Sequence, residues 1–242
     1  MAISTVAAAT IIVGTFDVAS FTGQINSTPD TIGTQDIPNF GSGGFNTRCA
    51  TIRTGEWGFT GYADFAATTG VSSVFTPTNL GSQYGILHAA PGTATGDPAI
   101  FGTARLKALP FGATPTSVGT YALNFDSDGP FAAGWLGAPN ASRTTAGYTG
   151  ASVTQAGPTA TQKMYAALNV TAAAGTNLVV KLQSAPASNF ASPTDRITFS
   201  TVSATGTQLS SAVGAITDGF WRVTATIATG TFSFACAFGV AA

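Results

Sequence analysis

Apolar and polar residues alternate with a period of two over much of this chain. Around residue 57, for example, Trp57, Phe59 and Gly61 fall on one side of an extended backbone, and Glu56 and Thr60 fall on the other. Because the side chains of a strand point alternately to its two faces, this pattern predicts a strand with one buried face.

The rest of the first half predicts further short strands and one short helix. The helix is expected within residues 69–80, where Pro77 ends it. Turn-forming residues at positions 126–130 are expected to end the last of these strands. The strands are predicted at residues 11–21, broken at Gly14, and at residues 84–90, 99–109 and 116–125.

The second half shows the alternation more clearly and predicts at least five antiparallel strands, which suit a small β-sandwich. A passage rich in Ser, Thr, Gly and Pro at residues 140–162 precedes it. We therefore predict a mostly β protein with two domains, residues 1–140 and a C-terminal antiparallel β-sandwich over residues 141–242. The five strands are predicted at residues 165–170, 178–182, 196–199, 221–227 and 232–238.

A long polar stretch at about residues 23–44 does not fit this series of strands. Connections of this length are usually functional or become ordered on a partner, so the stretch is predicted to be a long loop that serves as an inter-subunit arm. The residues predicted to make inter-subunit contacts are Asn26, Pro29, Asp30, Asp36, Pro38, Phe40, Phe45 and Arg48.

Charge is scarce in this sequence. Only nine Lys or Arg and ten Asp or Glu occur among 242 residues, whereas an ordinary soluble domain has about a quarter of its residues charged. Charged side chains keep free surfaces in water and are depleted from the cores of protein interfaces. Much of the surface is therefore predicted to be covered by other protein chains.

The same composition argues against two kinds of partner. The basic residues lie singly along the sequence, so no basic stripe is available to hold nucleic acid tightly. No apolar run approaches the roughly 20 residues that a membrane-spanning helix needs, so no membrane partner is predicted.

Residues that could carry chemistry are few. The single histidine, His88, lies among apolar residues and no nucleophile motif accompanies it, so it is interpreted as structural. The segment Asp126-Ser127-Asp128-Gly129 is similar to the start of a calcium loop but lacks the acidic residue at the far end. The sequence therefore predicts no catalytic residue, metal or cofactor, and no enzyme. Cys49 and Cys236 are interpreted as small buried apolar residues, with their redox state left open.

Several segments resemble the major tail tube proteins of long-tailed bacteriophages. The chain departs from that family at residues 52–55, Ile-Arg-Thr-Gly, where a lysine–aspartate turn is common. The segments that carry the resemblance are Phe40-Gly41-Ser42-Gly43-Gly44-Phe45-Asn46-Thr47-Arg48, residues 52–65, residues 109–125 and, in a β domain similar to those of phage virion proteins, residues 165–170, 192–199 and 216–223.

The resemblance implies a tail-tube-type β-sandwich or partial barrel with one short helix and a long loop. It implies hexameric rings, whose inner strands form a barrel around a DNA channel and whose loops reach the adjacent ring. The partners implied are further copies of the chain, tail proteins such as the tape measure and tail terminator, and double-stranded DNA that passes without specific contact. The implied location is the virion tail, after assembly in the host cytoplasm, with the C-terminal domain as an outer decoration.

The sequence is also compatible with a binding function. The C-terminal sandwich could bind a surface glycan through Trp221 or Trp135, which would make the chain a virion decoration or host-attachment protein. The alternating pattern around Trp221 favours a place in the core. A hydrolase is the weakest alternative, because no general base is recognisable.

Overall fold

Strands form nearly all the regular structure in the computed structural model, which describes residues 9–27, 31–37, 47–63, 71–109, 111–112 and 119–241. A four-residue helix, α1 (Val71–Val74), and a 3-10 turn at Pro77–Asn79 interrupt them. The strands are β1 (Thr10–Val13), β2 (Phe16–Asp17), β3 (Thr22–Ser27), β4 (Thr31–Ile37), β5 (Thr47–Thr54), β6 (Glu56–Tyr62), β7 (Gln83–Ala89), β8 (Pro98–Ala108), β9 (Phe111–Gly112), β10 (Thr120–Arg143), β11 (Tyr148–Thr149), β12 (Val153–Thr154), β13 (Lys163–Ala185), β14 (Thr194–Thr198), β15 (Gly206–Val213) and β16 (Phe220–Ala241).

The predicted fold class is confirmed: the protein is mostly β, and its one short helix lies within residues 69–80. Fourteen strands form one antiparallel sheet, whose main path runs β14-β13-β16-β10-β8-β7-β1-β2. Strand β15 is added beside β13, and β6 and then β3 are added beside β10. Strands β4 and β5 form a separate two-stranded sheet.

Two long strands replace four of the five short strands predicted in the second half. Residues 165–170 and 178–182 belong to β13, and residues 221–227 and 232–238 belong to β16. The two strands pair from Lys163 opposite Ala241 to Ala185 opposite Phe220, and we call this pair the central ribbon. The predicted breaks are wrong because Gly175 and Gly230 lie opposite each other in the ladder, so glycines that look like turns remain inside the strands.

The predicted end of a strand at residues 126–130 is also wrong. Strand β10 continues through this segment to Arg143, with a register shift against β8 between Ser127 and Phe131. Gly129 adopts a φ of 121° there, which glycine accepts easily. A bulge inside a continuous strand therefore accommodates the turn-forming residues.

Three clusters of buried side chains fill the fold. One is built from residues between Ala138 and Phe238, a second from residues between Ile11 and Phe125, and a third from both halves of the chain. The first part of β13 separates two of them: Leu168 packs into the first cluster and the neighbouring Ala167 into the third. The central ribbon is therefore buried on both faces at this point.

The two halves of the chain also meet through a buried amide. Asn169 on β13 is 1% exposed, and its side-chain nitrogen donates to the carbonyl oxygens of Gly14 and Gly85 at 2.9 and 3.1 Å. Residue 140 lies inside β10, and β11 and β12 within residues 140–162 pair with β16. The division into residues 1–140 and 141–242 as separate domains stays a prediction.

Candidate assembly surfaces

The hairpin of β4 and β5 stands apart from the main sheet. Its strands pair with each other from Thr31 opposite Thr54 to Ile37 opposite Thr47, and with no other strand among the residues described. A two-stranded hairpin alone in water is marginally stable at best. Both outer edges carry backbone groups that a further strand could bind, so the hairpin is a candidate assembly element.

Strands β3 and β4 occupy about half of the stretch that was predicted as a long loop. Residues 23–44 contain most of β3 and all of β4, so the loop prediction is wrong for these positions. Asn26 lies exposed on β3, and Asp36 lies opposite Arg48 in the hairpin register. Pro29, Asp30, Pro38, Phe40 and Phe45 lie outside the described residues. The inter-subunit role of all eight residues stays a prediction.

A second candidate surface is the outer edge of β15, a strand that the sequence pattern did not predict. Strand β15 pairs with β13 over eight consecutive positions, from Gly206 opposite Val170 to Val213 opposite Lys163, without a register shift. On its other side no strand of the described chain pairs with it. Its sequence, Gly-Thr-Gln-Leu-Ser-Ser-Ala-Val, contains no charge and no proline. The sequence of β15 shows no alternation of apolar and polar residues, because polar residues occur on both faces of the strand.

Many of the charged side chains gather in two groups on other strands. In one group Lys107 Nζ lies 3.2 Å from Glu56 Oε1 and 3.1 Å from Asp126 Oδ1, and Arg105 Nε lies 2.6 Å from Asp128 Oδ2. Hydrogen bonds to Asp126 and Glu56 raise the pKa of Lys107. The two acidic residues of the calcium-like segment, Asp126 and Asp128, thus pair with basic side chains.

A second charged group lies on β13, β14, β16 and the segment just before β16. Lys181 Nζ lies 2.6 Å from Asp195 Oδ2, and hydrogen bonds from Lys181 and Gln183 lower the pKa of Asp195. Asp218 accepts a hydrogen bond from Ser184 at 2.6 Å, which with Arg196 lowers the pKa of Asp218.

Arg222 completes the second group: it donates to Gln183 and lies over the Phe190 ring at 4.2 Å. The two groups hold ten of the nineteen charged residues of the sequence. The remaining surface of the described chain is correspondingly poor in charge.

His88 is enclosed between two neighbouring strands of the main sheet. It lies on β7 between Ile11 of β1 and Ile100 of β8, and its two buried ring nitrogens have no hydrogen-bond partner among the residues that the structure describes. Burial lowers its pKa. The described part of the chain also contains no group of three His, Cys, Asp or Glu residues arranged to hold a metal.

The burial of His88 predicts a pH dependence of stability. Below its ordinary pKa of 6.5 the unfolded chain binds a proton that the folded chain resists, so the free energy of unfolding falls as the pH decreases. The loss reaches at most about 1.4 kcal/mol per pH unit. Chemical denaturation between pH 7 and pH 5 should show this slope in the wild type and lose it in His88→Leu.

The lowered pKa values of Asp195 and Asp218 place their titration below pH 5. These two groups therefore do not contribute to the difference in slope between the wild type and His88→Leu. An equal slope in both proteins would mean that His88 is accessible to protons in the folded state.

The two tryptophans considered for glycan binding are both held by Gln155. Trp221 is fully buried in the C-terminal cluster and donates from its indole nitrogen to the Gln155 backbone oxygen at 2.9 Å. Trp135 is half-buried and donates to the Gln155 side-chain oxygen at 2.7 Å. Trp221 is therefore a core residue, as its pattern favoured, and the glycan alternative is wrong in using it as a stacking surface.

Two further findings concern membranes and cysteine. Within the residues described, no helix is both long and apolar enough to cross a membrane. Cys236 is a free, fully buried thiol in the C-terminal cluster, and burial raises its pKa to about 12. The interpretation of Cys236 as a small buried apolar residue is confirmed, whereas the side chain of Cys49 lies outside the described part of the structure.

Comparison with known proteins gives no family. No protein-family model and no curated protein matches the sequence. Among solved structures, the chain is similar to the Dit protein (gp 19.1) of phage SPP1, described as a paradigm of the hub adsorption apparatus in phages that infect Gram-positive bacteria. Identity is 12%, the TM-score is 0.38, and the match covers 97% of this chain and 99% of that one.

A second solved structure, of infectious bursal disease virus strain Gx, matches with 13% identity and a TM-score of 0.30. This match covers 98% of this chain and 58% of the viral chain. The first protein belongs to a phage adsorption hub and not, by its description, to a tail tube. Both TM-scores are too low for either likeness to indicate the function of this chain.

Proposed function

We propose that this chain is a structural subunit of a bacteriophage tail tube. Identical copies form closed rings, six to a ring in keeping with the sequence resemblance, and stacked rings enclose a channel through which DNA passes. The observation that carries the proposal is the β4–β5 hairpin, which pairs with no other strand of the described chain. The subunit works by assembly and not by catalysis.

The hairpin supports assembly because no strand of the described chain covers either of its edges. An unpaired strand edge in a monomer invites aggregation, but the same edge becomes a specific joint when a neighbouring copy covers it. A contact between two different surfaces of identical subunits closes into a ring when the rotation between copies allows it. The hairpin, inserted in the chain between β3 and β6, is suited to reach such a neighbour.

The distribution of charge agrees with a largely covered surface. Ten of the nineteen charged residues are confined to the two groups described above. In a ring these groups would face water, whereas the uncharged surfaces would contact other copies. Isolated basic residues also suit a channel that DNA must pass without tight cationic contact.

The test is electron microscopy of a variant that lacks the β4–β5 hairpin. Strands β3 and β6 pair with each other, and Ser27 lies opposite Gly58. Residues 29–54 can therefore be replaced by a short glycine-rich turn that joins two strands already adjacent and keeps the two hydrogen bonds between Gly55 and Ser127 of β10. We expect the wild type to form rings or tubes of uniform bore in negative stain, and the variant to remain monomeric.

Circular dichroism and the melting temperature serve as the folding control, because the main sheet is complete without the hairpin. If the variant without the hairpin folds and still forms rings of unchanged bore, the hairpin does not join the copies. A wild-type protein that stays monomeric at high concentration would overturn the proposed function itself.

A further inference from the structure

We infer that the outer edge of β15 receives strand β4 of the hairpin from a second copy of this chain. The inference rests on the proposed function and adds the surface that the neighbour's hairpin binds. Each junction would join a hairpin on one copy to a β15 edge on the next.

The first argument is the regularity of β15. In an antiparallel pair, the backbone groups of alternate residues point away from the partner strand. Strand β15 makes eight consecutive pairs with β13, so its outward groups form an equally regular row. Proteins usually blunt such edges with charges, prolines, bulges or short length. Strand β15 has none of these features.

The second argument is an exposed apolar side chain at the end of the same strand. Val213 is 70% exposed, the largest value among the large apolar residues of the described chain. Leu209, on the same face, packs against the cluster shared by both halves. A strand added outside β15 would cover Val213 and extend the apolar surface that Leu209 begins.

The other edges of the main sheet are less suitable. Strand β14 is five residues long and carries Asp195 and Arg196, both already in ion pairs. Strand β3 has two register irregularities against β6. Strands β2, β9, β11 and β12 are two residues long. Of the edges that the described residues provide, β15 is the long, uncharged and regular one.

The choice of occupant follows from length and charge. Strand β4 has seven residues against the eight of β15, and Asp36 is its one charged residue, whereas β5 carries Arg48 and Arg53. Pairing of β15 with β15 of another copy would satisfy the same edge. Such a contact is isologous and yields only a two-fold dimer, which cannot close a ring.

Disulfide cross-linking between copies tests the contact. In a Cys49→Ser background, Gln35→Cys on β4 is combined in turn with Ser210→Cys, Ser211→Cys and Val213→Cys on β15, so that the register is scanned. Oxidation of at least one pair should give a ladder of covalent multimers beyond the dimer. Each single cysteine variant is the control and should remain uncross-linked. Dimers from a single β15 cysteine would show self-pairing and overturn the inference.

The second test introduces a charge at the outer edge of β15. Val213→Lys places a charge where the added strand would lie, and Leu80→Lys, at another exposed apolar residue (48% exposed), is the matched control. We expect Val213→Lys to raise the protein concentration needed for rings by roughly tenfold or more, and Leu80→Lys to leave it unchanged. Both variants should keep the wild-type melting temperature, because both side chains are exposed.

The outcomes separate the two proposals. Rings that form without any β4–β15 cross-link, and with equal efficiency in Val213→Lys, would overturn this inference and leave the tube proposal standing. A chain that forms no rings at all would overturn both.

Discussion

Replacing Gly230 with alanine is expected to destabilise the protein by about 3 kcal/mol or more. Gly230 lies opposite Gly175 in the central ribbon and has a φ of 80°, which a residue with a side chain adopts only with strain. A Cβ atom there would also overlap the carbonyl oxygen of Ala174, a backbone atom that cannot move aside without breaking the ladder. Denaturant unfolding followed by tryptophan fluorescence measures the loss.

Gly214→Ala and Gly219→Ala are the matched controls for this experiment. Gly214 has a φ of 95°, but a Cβ atom added to it would meet no other atom within 4 Å, so its substitution adds strain without overlap. We expect the free energy of unfolding to fall by about 1 kcal/mol in Gly214→Ala and hardly at all in Gly219→Ala. Gly219 has no positive φ, and a Cβ atom added to it would meet no other atom within 4 Å. Equal losses for Gly230→Ala and Gly214→Ala would show that the close approach in the ribbon does not matter.

Arg143→Met should also cost about 3 kcal/mol, because Arg143 is a buried cation held by neutral groups. Its guanidinium donates to the carbonyl oxygens of Pro139, Ala141 and Phe234 at 2.6, 2.9 and 2.7 Å. It also lies 4.3 Å from the centre of the Tyr148 ring and 4.2 Å from that of Phe234. Methionine would leave three carbonyl groups without this donor, and thermal unfolding would report the loss.

Two further variants show whether charge or shape matters at this position. Arg143→Lys keeps the charge but not the planar donor fork or the stacking, so we expect a loss close to that of Arg143→Met. Arg105→Met removes an ion pair whose arginine side chain is 55% exposed, and the change should be within about 1 kcal/mol. A stable Arg143→Lys would mean that the positive charge alone suffices.

The sequence predicted the strands best where one face is buried. In β16, Trp221, Val223, Ala225 and Ile227 are largely buried and alternate with less buried neighbours, so a period of two was visible. Strand β15 could not be predicted in this way, because Ser, Thr and Gln interrupt the apolar residues on both of its faces, so no period of two is visible. The length of β13 and β16 was also hidden, since glycines usually mark turns.

The candidate site was less predictable than the fold. Strand β4 of the hairpin lies inside the stretch predicted as an arm and β5 lies outside it, and neither strand was foreseen; Thr31–Ile37 shows no apolar alternation. Arg143 was not singled out, because its partner Phe234 is ninety-one residues away in sequence. Contacts of this kind depend on which strands become neighbours, and local pattern does not contain that information.

The thiol of Cys236 can be used to measure local unfolding around the C-terminal cluster. It lies on β16 opposite Leu168, fully enclosed, with a pKa of about 12 that keeps it protonated and unreactive. A maleimide or similar reagent can reach it only in molecules in which the strands packed around the C-terminal cluster have separated. In a Cys49→Ser background, the labelling rate therefore measures how often that separation occurs, in free subunits and in assembled particles alike.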